Sequence, residues 1–379
     1  MITNEKTGVW EIDDVYKKVN KGVYPYTGAS NLFSWGYNNQ GFLAQNNRTY
    51  YSSPVQIPGT TWSSISGGAQ HSLAIKTDGT LWSWGRNSNG RLGQNNTTYY
   101  SSPVQIPGTT WSTAVAGYYQ SLATKTDGTL WAWGYNYNGQ LGQNNRTQYS
   151  SPIQIPGTTW STTVGKIGFL SSQATGAIKT DGTLWVWGYN GFGSLGQGNT
   201  TYYSSPVQIP GTTWKIISNS NSSNGGPLAI KTDNTLWAWG NNFNGQLGQN
   251  NRTQYSSPIQ IPGTTWNFIS SSYHSLATKT DGTLWSWGYN NRGQLGQNNT
   301  TQYSSPVQVP GTTWNSISTG YQHSLATKTD GTLWSFGRNF DGQLGQNNRT
   351  YYSSPIQIPG TSWSSISAGA RFSLATQSQ

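Results

Sequence analysis

No cysteine occurs among the 379 residues, so neither disulfide nor thiol chemistry is open to this chain. Its absence suits an extracellular or virion surface. Charge is sparse. Asp, Glu, Lys and Arg make up 8% of the sequence, with 11 acidic residues against 21 basic. Long apolar runs are missing too. None reaches the roughly 18 residues of a membrane-spanning helix, so membrane insertion is not expected. The first residues, Met1-Ile2-Thr3-Asn4-Glu5-Lys6, lack the apolar core of a secretory signal.

Catalytic groups are equally scarce. The three histidines, His71, His274 and His323, share one repeated slot before Ser-Leu-Ala. A repeated slot gives several similar environments, whereas a catalytic residue needs a unique one. No two of them are expected to converge on a metal. Beyond residue 27 there are seven acids, and six are turn residues, Asp78, Asp127, Asp181, Asp233, Asp281 and Asp330; Asp341 is the seventh. No carboxylate pair, phosphate loop or nucleophile elbow is present. The sequence predicts no enzyme, no cofactor and no metal site.

What is present is repetition. A closing Trp recurs at Trp62, Trp111, Trp160, Trp214, Trp266, Trp314 and Trp363, in steps of 49, 49, 54, 52, 48 and 49. An aromatic-Gly pair keeps the same steps at Trp35, Trp84, Trp133, Trp187, Trp239, Trp287 and Phe336. Each unit reads as β. Ser72-Leu73-Ala74-Ile75-Lys76 alternates, Thr77-Asp78-Gly79 turns, and Leu81-Trp82-Ser83-Trp84 alternates back. Asp-Gly between such runs predicts a hairpin with a type I′ turn. The seventh hairpin is split. Phe372-Ser373-Leu374-Ala375 supplies its first strand, and Asn31-Leu32-Phe33-Ser34-Trp35 its second. Pairing them closes a ring and removes the open edge, whereas a solenoid needs no such split. The fold predicted is all-β: a seven-bladed β-propeller closed by its N- and C-terminal strands, with a short N-terminal helical leader. The domains are 1–27, leader, and 28–379, propeller.

The segment from His71-Ser72-Leu73-Ala74 through Lys76, Asp78-Gly79, Leu81-Trp82, Trp84-Gly85, Asn87, Gly90 and Leu92-Gly93 resembles the repeat of the regulator of chromosome condensation family. The resemblance covers residues 30–379 and implies a seven-bladed propeller with a split closing blade. It also implies inter-blade packing for the histidine slot. Members range from an exchange factor for a small GTPase to a plant light sensor and secreted inhibitors, so fold alone does not fix function. Exchange factors use a protruding wedge, and no copy here carries a long charged insertion.

In the leader, Ile12, Val15, Tyr16 and Val19 recur at helical spacing, and Trp10 precedes them. So short a helix is not stable alone in water, and these five residues form a predicted docking face for another protein or a neighbouring copy, the alternative being a cap on its own propeller. The phrase Gly8-Val9-Trp10…Tyr16…Tyr24-Pro25 resembles a short segment of tailed-phage virion proteins, with Tyr24 where a second Trp is usual.

The net charge of +10 lies wholly in the propeller. Lys76, Lys125, Lys179, Lys231, Lys279 and Lys328 share one slot, two residues before the turn Asp, and read as solvated Lys-Asp pairs. Trp82 and Trp84 lie on one face of a strand and read as inter-blade packing. Copy-specific departures mark candidate binding surface. Lys166 to Ala177 reads as an enlarged loop presenting Phe169 and Leu170. Residues 219–227 form a Ser/Asn/Gly-rich insertion on the same rim. Arginine alternates with threonine at Arg48, Arg146, Arg252 and Arg349.

The function expected is a non-enzymatic binding scaffold. The leader's resemblance implies a phage virion surface protein, in a tail fibre, a receptor-binding protein or a capsid decoration. Its partners would be other virion proteins or a host surface receptor or glycan, with a homo-oligomer also open. Nucleic acid is not expected. The alternative is an intracellular adaptor or exchange-factor-like propeller in the cytoplasm.

Overall fold

In the computed structural model, residues 30–378 are described, apart from 221, 223 and 224. The predicted leader helix, with Trp10, Ile12, Val15, Tyr16 and Val19, lies outside the described residues. The described chain forms seven four-stranded antiparallel sheets. Blade 1 runs Trp62–Gly67, His71–Lys76, Leu81–Gly85, Tyr100–Ile106, from the axis outward. Blades 2 to 6 repeat this order, starting at Trp111, Ile167, Trp214, Trp266 and Trp314. Blade 7 joins both ends of the chain. Trp363–Ala368 and Phe372–Ser378 are its two inner strands, Ser30–Gly36 and Tyr51–Ile57 its two outer ones. Phe33 pairs with Ala375 and Ser34 with Leu374, in an unbroken seven-residue register. The ring is closed as predicted.

The outermost strand of each blade is the exposed sheet edge. It carries a proline in every copy, as in Tyr100-Ser101-Ser102-Pro103-Val104-Gln105-Ile106. Proline has no donor to offer a partner strand, which blunts the edge.

The hairpin turns differ from the type I′ expectation. Asp78 keeps negative φ, and only Gly79 is left-handed, at φ 76°. Gly79 N–H donates to Lys76 O and Lys76 N–H to Thr80 O, both at 3.0 Å. This is a type I turn followed by a left-handed bulge residue, the usual three-residue hairpin. A Cβ on Gly79 would meet Thr109 O at 2.2 Å, so the neighbouring connection also requires glycine. Asp78 accepts from Thr80 N–H at 3.0 Å and Thr80 Oγ1 at 2.7 Å, and Thr80 Oγ1 accepts from Trp82 Nε1 at 2.9 Å. The Asp thus builds the turn through Thr.

Between blades the packing is aromatic and hydrogen-bonded. Trp84 is fully buried and donates to Phe42 O of the preceding blade at 2.8 Å; Trp133 does the same to Arg91 O. The histidine slot is structural. His71 Nε2 meets Ser121 Oγ of the next blade at 2.8 Å, His274 meets Ser324 at 2.7 Å, and His323 meets Ser373 at 3.1 Å. Gln120 takes the same role in blade 2, donating to Ser172 O at 2.9 Å.

Candidate protein-binding interface

The strand order gives the disc two unlike faces. Connections between first and second strands, and between third and fourth, emerge on one face. The Asp-Gly hairpins and the Pro-Gly-Thr connections between blades emerge on the other. The first face gathers tyrosine and arginine.

At its centre is the mouth of the axial channel, a cavity of about 250 Å³ lined by the innermost strands of all seven blades. Inner loops are linked backbone to backbone around the mouth: Ala69 N–H to Gly117 O, Ala370 N–H to Gly68 O, and Tyr321 N–H to Ala370 O. Three tyrosines from these loops meet there. Tyr118 stacks on Tyr321 at 6.2 Å, and Tyr273 meets Tyr321 edge-on at 5.5 Å. Tyr118 also contacts Tyr119, which continues to Tyr135 and Tyr137. Burial pushes the Tyr321 phenol far up, with Tyr118 adding to it. Burial and the Tyr118 hydrogen bond raise Tyr119 to about 12. Both phenols therefore remain neutral donors at physiological pH.

Arginines brace this aromatic cluster. Arg91 is fully buried in a slot where other copies hold Gln, Ser194 or Phe42. It donates to Tyr118 O at 3.0 Å and Asn89 Oδ1 at 2.7 Å, and lies 5.2 Å from the Tyr119 ring. Burial, with Arg86 nearby, lowers its pKa to about 10, so it stays charged at neutral pH. Arg371 grips buried Asp341 through two bonds of 2.9 and 2.8 Å and covers the Tyr37 ring at 4.1 Å. Arg338 lies 3.8 Å from the same carboxylate. Asp341 is therefore a structural anchor for two arginines of this face.

Around the mouth, the turn after the third strand presents aromatic rings to solvent. Tyr137, Phe243 and Phe340 are 58%, 53% and 56% exposed. Exposed aromatic rings beside arginines, on rigid turns, are the composition of protein-binding hot spots.

The site expected from the sequence lies elsewhere. Phe169 and Leu170 are not on a loop. They sit in strand Ile167–Ser171 and are 1% and 0% exposed. This corrects the loop expectation: copy 3 shifts its inner strand along the chain, and both side chains fill the core beside Ile167 and Ala174. The described residues of the polar insertion fold down rather than out. Asn219 Oδ1 accepts from Phe169 N–H at 3.1 Å, Ser220 N–H donates to Phe169 O, and Ser220 and Ser222 are buried. The arginines of the alternating pattern sit in the exposed connection before each outer strand, and Arg252 reaches Gln302 at 3.3 Å. The lysines do not pair with aspartate. Each lies between two Trp rings, as Lys231 does at 4.9 Å from Trp214 and 4.1 Å from Trp237. Among the described residues no group of three His, Asp or Glu is placed to hold a metal.

The Regulator of chromosome condensation (RCC1) repeat matches this chain seven times, at residues 30–75, 78–124, 127–164, 181–219, 233–277, 281–327 and 330–376. The chain belongs to that repeat family. Human Protein RCC2 is 38% identical over 85 residues, 22% of this chain and 16% of that protein. The Arabidopsis thaliana Ultraviolet-B receptor UVR8 is 32% identical over 103 residues, 26% of this chain and 23% of the receptor. The matches thus span less than a quarter of either relative. Among solved structures, yeast RCC1 (Prp20) bound to Kap60 superposes with a TM-score of 0.82 at 19% identity, over 100% of this chain and 94% of that one. Prp20p from Saccharomyces cerevisiae, described with its binding to Gsp1p and histones, gives 0.82 at 20% identity, over 98% and 96%. Human WBSCR16 gives 0.80 at 18% identity, over 93% and 99%. These likenesses show the fold.

Proposed function

We infer that this member of the RCC1 repeat family is a non-enzymatic scaffold that binds a protein partner through its tyrosine-arginine face. The observation that carries this reading is the cluster at the channel mouth. Tyr118, Tyr273 and Tyr321 join blades 2, 5 and 6, and Tyr137, Phe243 and Phe340 surround them at 53–58% exposure. A rigid disc needs no reorganisation to present such a surface, so little ordering cost opposes binding.

The relatives support the class of partner. The two yeast propellers are described with protein partners, Kap60 for one and Gsp1p and histones for the other. They favour the adaptor alternative, in a cytoplasmic setting, over the virion reading, to which no relative named above lends support. Catalysed nucleotide exchange is the weaker form of that alternative here. The longest connection between a first and a second strand, between Ile217 and Leu228, lays Asn219 and Ser220 onto Phe169 of blade 3 rather than projecting them as a wedge.

The leader, residues 1–27, remains a second proposed contact. Trp10, Ile12, Val15, Tyr16 and Val19 would dock on a partner or another copy. A chain beginning at Gly28 should then melt as the full chain does yet fail to assemble; normal assembly would contradict the docking role.

Site-specific photo-crosslinking tests the main reading. A benzophenone side chain at Tyr137 or Phe243 should capture the same protein, and one at Trp131 on the opposite face should not. Equal capture from both faces would contradict it.

A further inference from the structure

The face opposite the tyrosines carries a repeated arrangement that partner docking leaves unused. On five blades a lysine ends the second strand and lies between two tryptophans, one from the first strand and one from the third; in blade 3 the equivalent Lys179 and Trp160 form an isolated bridge outside the strands, with Trp185 from the third. The ammonium stands 4.9 and 4.5 Å from the rings for Lys76, 5.0 and 4.3 Å for Lys125, and 5.1 and 4.3 Å for Lys179. It stands 4.9 and 4.1 Å away for Lys231, 5.0 and 4.2 Å for Lys279, and 4.8 and 4.7 Å for Lys328. Among the described residues the ion pairs involve Asp341 alone; none of these six ammonium groups comes within salt-bridge distance of a carboxylate, although each helps to lower the pKa of its turn aspartate through space.

At three blade boundaries this triad walls a cavity of about 300 to 320 Å³. That is the lower end of the size of small-ligand sites. At the boundary of blades 4 and 5 the walls include Trp266, Lys279, Trp285, Gln249, Asn250 and Ser305. The equivalent positions recur at the other two, with Gly198 in place of the asparagine in one. Gln249 Nε2 donates to Gln260 O at 3.2 Å, which fixes the amide and leaves Oε1 as a spare acceptor.

Each element has a chemical meaning. A half-buried indole offers a flat apolar surface. A cation held by aromatic rings, without an ion pair, offers charge to an anion at little cost in side-chain ordering. Fixed amide and hydroxyl groups suit hydroxyl donors and acceptors. We propose that these blade-boundary pockets bind acidic saccharides. A pyranose ring would lie against the third-strand tryptophan, its carboxylate on the lysine, and its hydroxyls on the Gln, Asn and Ser side chains. Repetition on one face suits a polymer that spans several pockets, where avidity multiplies weak single contacts. Single-stranded nucleic acid fits less well, because it needs a continuous groove, and these are separate pockets, each confined to its own blade boundary. Blade 7 lacks the site. Gln377 and Phe33 stand in the lysine and third-strand tryptophan positions, and Gln377 Nε2 is bonded to Thr361 O.

Calorimetric titration of the full chain with tetragalacturonate tests this, with cellotetraose and tetrathymidylate as comparison probes. Tetragalacturonate should bind at several sites per chain, more weakly at high salt, and cellotetraose several-fold more weakly still. The K125Q/K231Q/K279Q variant, which removes the lysine from the three cavities, should lose most of the binding while still unfolding cooperatively, its melting temperature lowered only by the loss of the lysine–tryptophan contacts. The wild-type titration stands alone if that variant does not fold. No binding of tetragalacturonate, undiminished binding by a folded variant, or equal or tighter binding of either comparison probe would overturn the proposal.

Discussion

The rings of Tyr118 and Tyr321 stack at 6.2 Å although their blades, 2 and 6, are not neighbours. The contact therefore crosses the axis of the ring and covers the channel mouth. It ties the most exposed aromatic turns to a single rigid platform, and ring integrity and surface chemistry become separable in experiment.

Ring closure makes the first prediction. Residues 372–378 form a seven-residue ladder with Ser30–Gly36, and Phe372 and Leu374 are fully buried. Deleting residues 371–379 removes an inner strand of blade 7 and opens the ring. Circular dichroism should show loss of the cooperative thermal transition. A truncated chain melting within a degree or two of full length would contradict closure as the source of stability.

Acid sensitivity makes the second. Burial holds His274 and His323 at about 3, far below their ordinary value, and lowers His71 in the same direction. In the unfolded chain they titrate near 6.5. Below that pH the unfolded state binds more protons, so stability is full above about 6.5 and falls as pH drops towards 3. From His274 and His323 alone the slope near pH 5 is about 2.7 kcal/mol per pH unit. Urea unfolding between pH 8 and 4 should show it. The H274Q/H323Q variant, which copies Gln120 in the same slot, should flatten the profile; an unchanged slope would assign it to other groups.

Asp341 and Arg371 make the third. The carboxylate is buried and bonded twice by a guanidinium that is itself one-third exposed. A double-mutant cycle with D341N and R371A should give a coupling of about 1–2 kcal/mol in chemical denaturation. R371K should not restore it, because lysine cannot reproduce the two-pronged geometry. A coupling near zero would mean that the anchor is solvent-screened and carries no weight.

The architecture was legible in the sequence because two anchors, Trp111 and Trp84 in one copy, keep fixed spacing in all seven. The split hairpin then dictated the closure of Phe33 on Ala375. Asp-Gly suggests the central pair of a type I′ turn, whereas Thr77 and Asp78 are central and Gly79 is the bulge. The lysines were assigned to aspartate by sequence proximity. Alternation places Lys76 directly across from Trp62, and that cross-strand register decides its partner. The proposed binding face carries a fainter signal. Tyr137, Phe243 and Phe340 occupy the variable position of Asn-x-x-Gly, where other copies hold the small or polar Asn39, Ser88, Gly191 and Asn291. An aromatic ring in an otherwise polar turn slot was the available signal. Phe169 and Leu170 lie in a strand and not the expected loop because copy 3 shifts its inner strand along the chain, and only the packing reveals that shift.

The tyrosine-arginine face as the protein-binding surface is tested most directly by the triple variant Y137S/F243S/F340S. All three rings are more than half exposed, so each substitution should change stability by less than about 0.5 kcal/mol. The measurement is the affinity of this variant for the protein crosslinked from position 137, beside the K125Q variant of the opposite face. The triple variant should keep the wild-type melting temperature and lose binding by at least about 100-fold, while K125Q binds normally. Wild-type affinity in the folded triple variant would contradict the account.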